Sequence, residues 1–155
     1  MADFRMDRRR LPPIRVREGT YFVTWRLHRA QPWLIAAERT WIVDAVRHFD
    51  GERYELLAFV VMNDHVHVIA APREPHRLKH IVRSWKSYTA NRLQHTPSRS
   101  GTGRIWQEEY FDRVLRNGDE AQEKIQYILK NPWKRWPDTE DYQWVWALGD
   151  AASPG

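Results

Sequence analysis

The sequence predicts an α+β fold: a ferredoxin-like β-α-β-β-α-β antiparallel sheet with helices on one face, extended by a C-terminal helix. Segments of alternating polarity and segments of helical periodicity follow one another in that order. The apolar runs 54–62 and 65–71 are joined only by Asn63-Asp64, a turn dipeptide, so they read as a hairpin. The chain has 155 residues and neither an internal repeat nor a low-complexity block, so one domain at 18–147 accounts for it. A flexible basic arm (1–17) and a disordered tail (148–155) are expected to flank it.

Residues 20–27, TYFVTWRL, alternate and are rich in β-branched and aromatic residues, the mark of a strand. Tyr21, Val23, Trp25 and Leu27 share one face, Phe22 and Thr24 the other. Residues 34–49 carry Trp41, Ile42, Ala45, Val46 and Phe49 at helical spacing, and Asp50-Gly51 ends that helix. The hairpin of 54–62 and 65–71 follows, closed by Pro72 and Pro75. Residues 76–94 form a second long helix with Leu78, Ile81, Val82, Trp85 and Thr89 inward. Residues 95–104 are a polar Gly/Ser loop, and 109–115 a fourth strand. Asn117 or Asp119 caps a third helix over 119–130, and Asn131-Pro132 is expected to stop it.

Hydrophobic residues make up 42% and charged residues 29%, as in ordinary globular chains. No run of 18 apolar residues suggests a transmembrane helix, and the charged N-terminus lacks the apolar core of a signal peptide. The absence of cysteine excludes disulfides and thiolate metal sites and suits the cytoplasm. A net charge of +5 favours an anionic partner, nucleic acid being the commonest. The nine tryptophans fill a core or stack on unpaired bases. Positive charge gathers twice. Arg8, Arg9 and Arg10 lie in the N-terminal arm, which either follows a phosphate backbone or is simply solvated. Between Pro75 and Gln107 there is no acidic residue, while Lys79, Arg83 and Lys86 form one helical stripe, joined by Arg77, Arg92, Arg99 and Arg104. This segment is expected to contact phosphates.

Two pairs of residues bear chemistry. His65 and His67 are two apart on a strand and so face the same way. They either grip one metal ion, which then needs further ligands, or are satisfied core groups. Tyr127 and Asn131 are four apart on one helical face. Tyr127 is either a rim tyrosine or a nucleophile that needs a nearby cation at the reacting centre.

The set VVMNDHVHVI, WKSYTANRL, RIWQEEYFDRVLR, QYILKNP and DYQW, in that order, resembles the single-tyrosine HUH transposases, and among them the REP-associated tyrosine transposases of bacteria. The resemblance spans residues 20–147. It implies a metal-dependent single-stranded DNA endonuclease and strand transferase. His65 and His67 would bind a divalent ion, Mg²⁺ or Mn²⁺, completed by Asn131. Tyr127, on the C-terminal helix, would attack the scissile phosphate and form a 5′-phosphotyrosine with a free 3′-OH. The implied partner is single-stranded or hairpin DNA of the REP type, contacted by Arg8, Arg9, Arg10, Lys79, Arg83, Lys86 and Arg104. No membrane is involved, the location is cytoplasmic and nucleoid-associated, and a monomer is expected, with a dimer as the alternative.

The chain departs from the family pattern in two places. Asn63-Asp64 stands where Pro-Asn or Pro-Asp is usual, and Trp133-Lys134-Arg135-Trp136-Pro137 replaces a Val-Arg-Ala-Gly-Leu type segment. The competing reading is a non-catalytic nucleic-acid-binding module of the same fold, a retired transposase. A zinc hydrolase built on the histidines is disfavoured: no Glu adjoins them, and Asp64 is expected on the opposite face.

Overall fold

A computed structural model of the protein describes residues 16–151. The elements run β1 (Thr20–Leu27), α1 (Ala36–His48), β2 (Tyr54–Val61), β3 (His65–Pro72), α2 (Leu78–Gln94), β4 (Trp106–Leu115), α3 (Gly118–Arg135), β5 (Val145–Ala147) and α4 (Leu148–Ala151). The five strands are ordered β4-β1-β3-β2-β5, and every neighbouring pair is antiparallel. The first four strands and two helices are the split arrangement expected from periodicity. The basic arm with Arg8, Arg9 and Arg10 falls almost wholly outside the described residues.

Side-chain alternation gives the sheet two working faces. Val23, Trp25, Leu27, Phe59, Val66 and Val68 point to α1 and α2 and form the larger core. Trp25 stacks on Trp85 and meets Trp106 edge-on, with ring centroids 5.7 and 6.1 Å apart. The Trp106 indole donates to Thr89 Oγ1 at 2.9 Å. These three tryptophans are therefore core residues and not stacking platforms. On the other face Leu57, Val60, Ile69 and Leu115 pack against Ala121, Ile125, Ile128 and Leu129 of α3.

The structure corrects several sequence expectations. β4 begins at Trp106, three residues earlier than expected, because Trp106 is drawn into the core. α3 runs through Asn131-Pro132 to Arg135. Proline removes one helical hydrogen bond, but the buried Ile125, Ile128 and Leu129 hold the helix on the sheet up to a Pro132 that is itself buried. Trp136 N–H donates to Pro132 O at 2.8 Å and closes the end. At the other end it is Asn117 that caps, its Oδ1 accepting from Glu120 N–H at 3.0 Å. A fifth strand, β5, pairs with the outer edge of β2 at Ala58, Phe59 and Val60. Leu148–Ala151, expected within the tail, forms the short α4, and residues 152–155 lie outside the described residues. No helix among the described residues is long and apolar enough to cross a membrane.

A further correction concerns charge. Arg99, a member of the acid-free run, is 1% exposed and belongs to the interior. Its guanidinium donates to Glu38 Oε2 at 2.6 Å and Oε1 at 2.8 Å, to Gln31 Oε1 at 3.0 Å and to Trp33 O at 3.2 Å. Glu38 in turn accepts from Ile35 N–H at 3.0 Å and so caps α1. Burial raises the Glu38 carboxyl pKa, but hydrogen bonds from Arg99 and Ile35 outweigh it and hold it below the usual value. The pair ties the 95–105 loop to the start of α1.

Removing one member strands the other as a buried charge. Arg99→Ala should therefore lower stability in urea by about 3–5 kcal/mol. Because the folded-state pKa is depressed, the Glu38 contribution is complete above the unfolded carboxyl value and is lost as pH falls through the folded one. Urea midpoints measured from pH 6 down to 3 should fall more steeply for the parent than for Glu38→Gln.

Candidate active site

The α3 face of the sheet is organised by the pairing of β1 with β3. Thr24 lies opposite His67, Phe22 opposite Ile69 and Arg26 opposite His65. His65 and His67 thus share the face on which α3 lies, with ring centroids 4.6 Å apart. The hairpin turn before them is fixed by three backbone bonds. Leu27 N–H donates to Asp64 O at 2.9 Å, Leu34 N–H to Asn63 O at 2.8 Å, and Met62 N–H to His65 O at 2.8 Å.

Each imidazole has a second partner that sets its orientation. Asp64 Oδ1 lies 2.7 Å from His65 Nδ1. This corrects the expectation that Asp64 points away: it sits in the turn, where strand alternation does not apply, and reaches back to its neighbour. A carboxylate only accepts, so His65 Nδ1 carries the proton and Nε2 keeps its lone pair in the neutral ring. His67 is 4% exposed, its Nδ1 is 2.7 Å from Thr24 Oγ1, and its ring stacks on Phe22 at 5.1 Å. Burial, followed by the charges of His65, Arg26 and Lys124, pushes the His67 pKa down to about 3. His67 is therefore a neutral imidazole at neutral pH, the form in which histidine binds metals.

α3 carries Tyr127 and Asn131 onto this pair. The Tyr127 ring centroid is 5.4 Å from that of His67 and 6.1 Å from that of Phe22, and the residue is 44% exposed. The Lys124 ammonium lies 5.5 Å from the Tyr127 ring. Asn131 is 8% exposed, and its Oδ1 is 3.3 Å from His65 Nε2. With the His65 proton on Nδ1, a lone pair and a carbonyl oxygen face each other, an arrangement that suits a cation. Adjacent ligands of an octahedral ion at 2.0–2.1 Å are themselves about 3 Å apart. No group of three His, Cys, Asp or Glu able to hold a metal occurs among the described residues. An ion here would be held by two imidazoles, the Asn131 oxygen and non-protein ligands, a donor set compatible with Mn²⁺ or Mg²⁺.

The structure thus brings together His65, His67, Tyr127 and Asn131, which the sequence places in two segments about sixty residues apart. It adds Thr24, Phe22, Asp64 and Lys124. Period-2 alternation in β1 puts Phe22 and Thr24 on one face, but only the β1–β3 register reveals which residues they meet. Lys79, Arg83, Lys86 and Arg104 line a separate groove of about 390 Å³ between α2 and β4. This groove lies on the α2 side of the sheet, away from the histidines. Lys86 is latched there, its ammonium donating to Gln107 O and Glu108 O at 2.8 Å each, and burial lowers its pKa. Arg104 pairs with Glu108 at 3.7 Å.

The sequence pattern of the family described as "Transposase IS200 like" matches residues 22–131. No curated protein matches the chain. Among solved structures, a REP-associated tyrosine transposase bound to a REP hairpin is similar with a TM-score of 0.65 and 20% identity, over 94% of this chain and 82% of that one. A candidate transposase from Deinococcus radiodurans is similar with a TM-score of 0.53 and 21% identity, over 75% of this chain and 92% of that one. At these identities the two structures establish the shared fold.

Thr24 is the hydrogen-bond partner of a deeply buried ring nitrogen. Thr24→Val keeps the shape and removes the hydroxyl, so chemical denaturation should show a loss of about 1–3 kcal/mol. An unchanged midpoint would mean that the hydroxyl does not hold His67.

Proposed function

The chain belongs to the IS200-like transposase family, and from that premise we propose that it is a metal-dependent single-stranded DNA endonuclease and strand transferase acting through Tyr127. The observation that carries the proposal is the meeting of the Tyr127 ring with His67 at 5.4 Å while Asn131 meets His65 at 3.3 Å, all within one chain. Since one protomer supplies every member of the set, the proposed unit is a monomer.

Tyr127 Oη attacks the scissile phosphorus. One phosphorus–oxygen bond forms to the phenol and the bond to the 3′ oxygen breaks. The proton lost by the phenol balances the one taken up by the departing oxygen, so the upstream strand leaves with a free 3′-OH and the downstream strand stays on tyrosine through its 5′ phosphate. The energy of the broken ester is retained, and the 3′-OH of another strand can reverse the step. A divalent ion held by His65, His67 and Asn131 would polarise a phosphate oxygen. Asp64 and Thr24 keep the two imidazoles aligned, as outer partners of metal-binding histidines do. Phe22 fixes the floor beneath the phenol. Lys124 supplies positive charge to a phosphate at Tyr127.

The similar structure that binds a REP hairpin suggests the substrate. We assign the single-stranded segment to the Tyr127 face and the hairpin stem to the groove of Lys79, Arg83, Lys86 and Arg104. The groove also supports the weaker reading, a DNA-binding module without catalysis, since it needs neither histidine.

Incubation with Mn²⁺ and single-stranded hairpin oligonucleotides should give a covalent protein–DNA adduct on a denaturing gel, absent for Tyr127→Phe. An adduct of equal yield from Tyr127→Phe would overturn the assignment of the nucleophile. Paramagnetic titration should show one Mn²⁺ site in the parent and its loss in His67→Ala. Lys79→Ala with Arg83→Ala should weaken hairpin binding and reduce the slope of log affinity against log salt by about 1–2. The non-catalytic reading expects that salt dependence and no adduct.

A further inference from the structure

We propose that a pocket at the Asn131 end of α3 holds one unpaired nucleobase of the bound strand, adenine being the best chemical match. The inference rests on the reading of this chain as a protein that handles single-stranded DNA. The pocket has a volume of about 540 Å³, and its walls include Trp33, Leu34, Arg39, Asn63, Trp136 and Tyr142. That size falls within the range of about 300–1,000 Å³ typical of small-ligand sites.

Asn63 is the telling residue. It is 3% exposed, and neither its Oδ1 nor its Nδ2 has a hydrogen-bond partner. Buried side-chain amides are almost always bonded, so an orphaned one points to an absent partner. Its amide offers an acceptor beside a donor, the pair that matches the N6 amino group and N7 of adenine. An unpaired cytosine offers the same pair at N4 and N3, and adenine is preferred for the larger ring it stacks on Trp33.

The other walls suit a base as well. Trp33 is 63% exposed, and the Arg135 guanidinium lies 5.2 Å over its ring. Trp136 stacks on Tyr142 at 5.6 Å, and Arg39 lies 4.5 Å over Trp144. Tyr142 is a core residue with Trp136 and Trp144 packed against it, so the exposed ring is that of Trp33, and an exposed ring with an arginine beside it binds a base and the phosphate attached to it. Asp141 is the acid on the wall. Position gives the pocket its place on the strand. Asn63 precedes His65 by two residues, and Arg135 follows Asn131 by one helical turn. A strand lying at Tyr127 therefore reaches the pocket within the next nucleotides. Both departures from the family pattern, Asn63 for proline and the Trp133–Trp136 segment, converge here.

The test measures binding in the Tyr127→Phe background, so that cleavage does not intervene. Fluorescence anisotropy with labelled dA8, dC8 and dT8 should show a preference for dA8 over dT8 of roughly tenfold. Asn63→Leu should flatten that preference, and Trp33→Ala, at an exposed position, should weaken all three by roughly tenfold. Equal binding of the three oligonucleotides, or a preference that survives Asn63→Leu, would overturn the pocket. A thermal melt of Asn63→Leu shows whether it is folded, and Trp33→Ala decides the question if it is not. Adduct formation by the parent is read separately. A base preference without an adduct leaves the pocket standing and removes the transferase reading, whereas an adduct without a preference does the reverse.

Discussion

The candidate site depends on one pairing at the centre of the sheet, that of β1 with β3. Its register sets Thr24 opposite His67 and Arg26 opposite His65. A slip of one residue would turn both imidazoles into the tryptophan-rich core and bring Val66 and Val68 out. The large core on the α1/α2 side forbids this, because Val23, Trp25, Val66 and Val68 are all buried there. The apolar face of the central strands therefore enforces the polar chemistry of the other face.

The sheet separates two tasks. α1 and α2 cover one face and supply most of the hydrophobic core, while α3 covers the second face only in part. Where α3 leaves the sheet open, the half-exposed Tyr127 ring and Phe22 come together over the buried His67. The basic groove lies at the margin of the first face, between α2 and β4. A bound hairpin with a single-stranded extension would then pass round the β4 edge of the sheet from one face to the other. The exposed Phe111 of β4 stands on that route, opposite Thr24.

What could be read from the sequence, and what could not, follows from the range of each interaction. His65 and His67 share a face because strand geometry requires it, and Tyr127 and Asn131 share one because helix geometry does. Both inferences use only neighbours in sequence. That α3 lies on the histidine face needed the packing of Ile125, Ile128 and Leu129, which no local pattern contains. Arg99 read as a phosphate contact because its acid, Glu38, lies 61 residues away. Asp64 faces His65 against the strand pattern because turn residues escape the alternation that governs strands. β5 is three residues long, too short for its period to show.

A single rigid helix holds both Tyr127 and Asn131, and this binds their fates together. One residue inserted between the Asn117 cap and Tyr127 would rotate both side chains by about 100° and lift both from the histidines. Ile128 and Leu129 would turn with them, so such a chain would lose the docking of α3 together with the proposed cutting and ion capture, yet keep the basic groove on α2 and β4. The passage from an active enzyme to a silent DNA-binding relative could then be abrupt, with no half-working form between them.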